Sequence, residues 1–211
     1  MIRTTALALL MAACFSVCAA EEAKVKPDLA KARKIAETVC IACHGADGNS
    51  ALPANPILAG QGAEYLFKQL SEFKSVDGKA ALRNNPIMAG MTATLSVEDM
   101  KSLALYFSQQ KTKPATASDV KLVAAGKNIW RKGDFEKGIA ACAGCHGPAG
   151  AGVPAQYPRL AGQYAEYIES QLKNFRSEER SNDPEKMMRT IADKLSDKQI
   201  KSVADYIAGL R

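Results

Sequence analysis

The chain has 211 residues, 47% hydrophobic and 24% charged, with 28 Lys and Arg against 22 Asp and Glu. That is ordinary globular composition, not the profile of a low-complexity or disordered chain. The modest positive charge is spread among both signs, with no basic stripe, which argues against nucleic acid as a partner.

In chain order, the first segment is a leader. Arg3 supplies a positive start, an apolar run extends from Ala6 to Val17, and Cys18-Ala19-Ala20 places small residues before Glu21-Glu22. This is the pattern of a secretory signal over residues 1–20, cleaved after Ala20. The apolar run is too short for a bilayer span, which needs about 20 such residues. Met11-Ala12-Ala13-Cys14 is a weaker alternative, a lipoprotein signal in which Met11 stands where Leu is usual. No other stretch reads as transmembrane.

The next elements are helical. Leu29, Ala32, Ile35, Ala36 and Val39 follow Asp28 with a 3.6-residue period that runs into Cys40. Tyr65, Leu66, Gln69, Leu70 and Phe73 predict a second helix, and Asn85-Pro86 reads as a loop. Ser96 with Asp99 three residues on is a capping box, followed by an apolar face at Val97, Leu103, Ala104 and Phe107. Gln109–Ser118 lacks apolar periodicity and contains Pro and Thr, so residues 111–118 are assigned as a linker.

The second half repeats the first. Asp119 precedes Val123, Ile129 and Trp130; Ile168, Leu172 and Phe175 predict the middle helix; Asp183-Pro184 reads as a loop; Ser196 with Gln199 caps a last helix bearing Ile200, Val203, Ala204 and Ile207. An insertion around Lys132–Gly138 reads as a surface loop. No run of alternating strand pattern is present, so the fold class expected is all-α. Residues 21–110 form one domain and residues 119–211 the other.

The repeat is explicit in the residues. Cys40-Ile41-Ala42-Cys43-His44-Gly45 matches Cys142-Ala143-Gly144-Cys145-His146-Gly147, and Pro56-Ile57-Leu58-Ala59-Gly60-Gln61 matches Pro158-Arg159-Leu160-Ala161-Gly162-Gln163. A period near 100 residues means duplicated domains rather than a solenoid of short repeats.

Both copies carry C-x-x-C-H, the attachment signature of c-type haem. Two cysteines three apart lie on one side of a helical turn, where they can form thioethers with the two haem vinyl groups. The adjacent His then aims its imidazole at the iron. A thioredoxin-like reading would need a βαβ context, and a zinc site would need four ligands where each half supplies three. Cys14 and Cys18 leave with the leader, so Cys40, Cys43, Cys142 and Cys145 account for every remaining cysteine.

The histidine count decides more. Only His44 and His146 exist, so neither iron can take a second His from this chain. Methionine is the usual sixth ligand in electron-carrying cytochromes and raises their potential. Met88 lies eight residues before Ser96, and Met188 eight before Ser196. This shared register selects Met88 and Met188 over Met91 and Met187, which are expected as haem-packing neighbours. Met100, inside the last helix of the first half, is expected in the core. The carbonyls of Pro56 and Pro158, each twelve residues after its His, are candidate acceptors for the second ring N–H. Leu-Ala-Gly-Gln after each proline is expected near the haem edge, with Gly60 and Gly162 allowing tight turns.

The doubled C-x-x-C-H, the two P-x-L-A-G-Q segments, Met88-Ala89-Gly90-Met91 and Met187-Met188-Arg189 resemble the dihaem cytochrome c4 family over nearly the whole chain after the leader. The resemblance implies two tandem class-I cytochrome c domains related by pseudo-two-fold symmetry, each wrapping one covalent haem. It implies His/Met ligation at both irons, a periplasmic and often membrane-associated location, and electron transfer between the cytochrome bc complex and a terminal oxidase. The residues carried over are Cys40, Cys43, His44 and Met88, then Cys142, Cys145, His146 and Met188. The expected function is electron carriage, with no small-molecule substrate and no catalytic residues. The alternatives weighed are a haem-bearing subunit of a dehydrogenase and a dihaem peroxidase, the latter disfavoured by two matched methionines.

Overall fold

The computed structural model describes residues 26–211. The leader at 1–20 and the alternative anchor at Cys14 lie outside the described residues.

Asp28 caps the first helix, α1 (Leu29–Ile35), through its carboxylate to the Lys31 N–H. The helix does not end there. It widens into a π-helical turn, Ala36–Cys40, and re-tightens as α2 (Ile41–His44). Single π turns inside helices are often found at functional sites, and this one delivers the first C-x-x-C-H. Three further helices complete the unit: α3 (Ala63–Phe73), α4 (Pro86–Thr92) and α5 (Val97–Ser108). The second unit has α6 (Val120–Lys132), α7 (Ala143–His146), α8 (Ala165–Arg176), α9 (Met187–Asp193) and α10 (Asp197–Gly209). Among the described residues β structure is limited to four isolated bridges. No described helix is long and apolar enough to cross a membrane.

Each unit folds its first and last helices together. In the first, Ala32 and Ala36 pack with Leu103, Ala104 and Phe107. In the second, Ile129 and Trp130 pack with Ile200, Val203, Ala204 and Ile207. Burying a Leu, Ile or Val side chain contributes about 1.5–3 kcal/mol, and Leu103, Ile200 and Val203 are each at most 1% exposed. Gly126 lets α6 cross α10 closely: a Cβ there would meet the Ser202 carbonyl oxygen at 2.1 Å. Both expected capping boxes form, Ser96 with Asp99 and Ser196 with Gln199. Met100 is buried in the first core, as expected. Val97 departs from its expected apolar face and is largely exposed.

Asn85-Pro86 and Asp183-Pro184 are not loops around the methionines; they start helical segments. The Asn85 side chain accepts from the Met88 N–H, and proline sits at the first helical position, where its missing N–H costs nothing. Asp183-Pro184 begins a short 3₁₀ turn, Pro184–Lys186, that leads into α9. Glu185 and Lys186 there are left-handed, with φ of 51° and 56°.

The segment between the units carries no helix or strand and is pinned at both ends. Thr112 donates to the Ala59 carbonyl, and the Lys113 N–H donates to Asn49. Near its other end the buried Asp205 carboxylate accepts from Ser118 N–H, Ser118 Oγ and Asp119 N–H.

Candidate haem sites

Both C-x-x-C-H motifs end on short helices, and glycine follows each His with positive φ, 73° at Gly45 and 79° at Gly147. The chain can therefore turn away directly after the ring. His44 and His146 are buried, 8% and 6% exposed. Nδ1 of His44 lies 3.0 Å from the Pro56 carbonyl oxygen, and Nδ1 of His146 lies 3.1 Å from that of Pro158. A carbonyl can only accept, so Nδ1 carries the proton in both rings and Nε2 keeps its lone pair. Burial lowers the pKa of each imidazole, outweighing the carbonyl contact that raises it. Both rings are thus neutral at neutral pH, the form that binds a metal.

The four cysteines form no disulfide. Burial pushes the Cys40 and Cys142 thiols up to about 11. Met88 is the third residue of α4 and Met188 the second of α9, and both are half-buried. Met187 is also half-buried, while Met91 is 46% exposed.

Gly60 and Gly162 make the tight turns expected of them, with φ of 70° and 74°. Their N–H groups donate to the carbonyls of Phe107 and Ile207, docking each turn on the end of its last helix. The glutamines that follow do something the sequence reading missed: they cross to the other unit. Gln163 accepts from the Ile57 N–H and donates to the Ile57 carbonyl, both at 2.9 Å. Gln61 accepts from the Arg159 N–H at 2.8 Å and donates to the Arg159 carbonyl at 2.9 Å. The signal available was that both glutamines fall at matched places in the repeat.

A second reciprocal set lies along the same seam. Arg83 and Arg180 pair through their backbones, and both are buried. The Arg83 guanidinium donates to Gln69, Tyr167 and Gln171; that of Arg180 donates to Asn182, Gln171, Tyr65 and Gln69. Each stacks on an aromatic ring of its own unit, Arg83 at 4.5 Å from Phe73 and Arg180 at 4.4 Å from Phe175. Burial alone would raise the Tyr65 hydroxyl, but the charges of Arg180 and then Arg83 hold it below its usual range.

The cytochrome c family model matches this chain twice, over residues 29–111 and 123–211. Cytochrome c4 of Azotobacter vinelandii is 47% identical over 178 residues, covering 82% of this chain and 84% of its own. The chain belongs to the cytochrome c4 family. Its fold agrees: the crystal structure of reduced recombinant cytochrome c4 from Pseudomonas stutzeri superposes with a TM-score of 0.82 at 40% identity, covering 88% of this chain and 100% of that one. The thiosulfate dehydrogenase electron acceptor of Thiomonas intermedia is also similar, 40% identical over 172 residues, covering 80% of this chain and 77% of its own. As a cytochrome c4, the chain is a dihaem electron carrier built of two tandem cytochrome c domains, with two covalent c-type haems, and it is not an enzyme.

The residues fit that cofactor. Paired, unbridged cysteines precede a neutral histidine whose proton is held on Nδ1 by a proline carbonyl, so Nε2 would be the atom free to bind iron.

Proposed function

We propose that Cys40 and Cys43 hold one haem and Cys142 and Cys145 the other, with His44 and Met88 ligating the first iron and His146 and Met188 the second. The observation that carries this reading is the repeated Nδ1–H to proline carbonyl contact, which fixes both imidazoles in the ligand tautomer. The eight-residue register of Met88 and Met188 before their capping serines supports the sulfur ligands. The haems supply one-electron Fe(III)/Fe(II) exchange. With a His and a Met from this chain holding each iron, no coordination site would be left for a substrate.

The chain divides at residues 21–110 and 119–211, joined by 111–118. With residues 1–20 as a cleaved signal, it works in the periplasm, at times against the inner membrane, moving single electrons between the cytochrome bc complex and a terminal oxidase. The similarity to a thiosulfate dehydrogenase electron acceptor favours a second reading, in which a dehydrogenase is the electron donor.

Met188→Ala tests the ligand assignment. It should abolish the methionine-to-iron charge-transfer absorption of one haem and lower that haem's potential, leaving the other unchanged. An unaltered spectrum would remove Met188 from the site. Co-purification of a catalytic dehydrogenase subunit would favour the second reading over the first.

A further inference from the structure

We infer that Gln163 and Gln61 are positioning residues that each tune the haem of the opposite domain, acting through a single peptide group. The inference rests on His44 and His146 being the iron ligands.

The geometry is a continuous chain of hydrogen bonds. The Pro56 carbonyl, which accepts from His44 Nδ1, and the Ile57 N–H belong to the same peptide unit. That N–H donates to Gln163 Oε1, a residue of the other domain. The mirror arrangement runs from His146 Nδ1 to the Pro158 carbonyl, then from the Arg159 N–H of the same peptide to Gln61 Oε1. Each ligand histidine is therefore linked to the far domain by two hydrogen bonds and one amide.

An amide is conjugated, so its two ends are not independent. A hydrogen bond accepted from the N–H draws electron density toward the carbonyl oxygen and makes it a stronger acceptor; bonds in such chains reinforce one another. A stronger acceptor on Nδ1–H makes the imidazole a better donor at Nε2. Better donation stabilises Fe(III) and lowers the potential.

The glutamines also fix where the carbonyl sits. Proline has no N–H, so Pro56 and Pro158 cannot anchor their own segment by donation. The next residue must, and in both domains one glutamine takes both its N–H and its carbonyl. Each glutamine is locked in turn, because its Oε1 also accepts from the N–H of the residue after it, Gly62 or Tyr164. All four partner groups at this clasp are thereby satisfied in a region where Ile57, Gln61 and Gln163 are 5–8% exposed. Along the clasp lies a cavity of about 10 Å³ lined by Gln61, Arg159 and Gln163. Arg159 Nε is buried without a hydrogen-bond partner.

The test uses the intact dihaem protein and the fact that it has only two histidines. Labelling with ¹⁵N-histidine gives two Nδ1–H signals in the reduced, diamagnetic state, assigned with Pro56→Ala and Pro158→Ala. Gln163→Met keeps size and removes both hydrogen bonds to Ile57, together with the one from the Tyr164 N–H. It should move the His44 Nδ1–H signal upfield and raise the potential of the N-terminal haem, with a smaller change at His146. Gln61→Met should do the reverse, and it stands as an independent test if Gln163→Met does not fold. Tyr164→Phe is the control: it deletes another hydrogen bond across the seam, to the Ser50 carbonyl, without touching either peptide. It should move neither signal. Equal shifts in Tyr164→Phe and the glutamine variants, or effects confined to the mutated domain, would overturn the inference. If the wild-type protein itself lacks iron-bound histidine signals, the ligand reading fails instead.

Discussion

The two domains bring a C-x-x-C-H to the same kind of site by different routes. Twelve residues separate the capping Asp28 from Cys40, whereas twenty-three separate Asp119 from Cys142. The first domain spends its twelve on one continuous helical path, α1 through the π turn to α2. The second stops α6 at Gly133, whose φ is 68°, and runs through a loop before α7. That loop is tied down: Lys137 and Asp134 both hydrogen-bond Gln199, the capping-box partner of Ser196 in α10. The cores differ to match. Ala32 and Ala36, four apart and fully buried, face α5. Gly126 and Trp130, also four apart and buried, face α10. The glycine leaves room for the Ser202 carbonyl, and the tryptophan adds a large buried side chain to the second core. The constraint common to both is the position of the histidine, not the path to it.

The largest break in this comparison comes from Trp130→Ala. The side chain is 0% exposed, its Nε1–H donates to the Pro148 carbonyl, and its ring lies 6.4 Å from that of His146. Truncating a buried aromatic costs about 3–5 kcal/mol. The C-terminal domain should unfold earlier in denaturant, followed by its haem absorbance, while the N-terminal domain, whose core contains no tryptophan, keeps its midpoint more nearly. A uniform shift of both would mean that the domains unfold as one unit across the seam.

Much of this was readable from the residues, for physical reasons. Helix periodicity, capping boxes and C-x-x-C-H are local, so they show in a single chain. The proline carbonyls were reachable because each stands at a fixed short distance from its histidine. The helices at Met88 and Met188 were hidden because Asn-Pro and Asp-Pro serve equally as turn formers and as helix starts. The glutamine clasp joins residues 106 and 98 apart, and no local rule reports such contacts. A repeated Gln after a Gly turn was consistent with packing at the haem edge as well as with a domain seam. Arg83 and Arg180 were missed because a lone arginine in a polar segment reads as surface.

A smaller break should come at that arginine pair. Arg180 makes four side-chain hydrogen bonds and Arg83 makes three, all to neutral groups. Hydrogen bonds to charged groups are worth about 1.5–3 kcal/mol each at most, and they are not additive in a shared network. Arg180→Met should therefore destabilise more than Arg83→Met, by about 1 kcal/mol. Thermal unfolding of both variants measures the difference. Equal losses would show that the pair behaves as one unit despite its unequal bonding.

The smallest effect separates the two capping boxes by pH. In the first domain Asp99 completes the Ser96 capping box of α5 and also binds Lys31 of α1 at 2.6 Å. The Lys31 ammonium holds the Asp99 carboxyl below its usual range, with the Ser96 groups adding to it. In the second domain the same place is taken by the uncharged Gln199. A carboxyl whose folded pKa is depressed stabilises the fold above its unfolded pKa, and that stability is lost as pH falls through the folded value. The unfolded value is about 3.9. Acidification below about pH 4 should thus loosen the α1–α5 contact of the first domain through a group the second domain lacks. Asp99→Gln should remove this part of the acid dependence while leaving neutral-pH stability slightly lower, because the Lys31 tie is gone. Denaturant midpoints of wild type and variant between pH 3 and 7 provide the measurement. If the two curves stay parallel down to pH 3, Lys31 and Asp99 are not energetically coupled, and the caps differ in composition only.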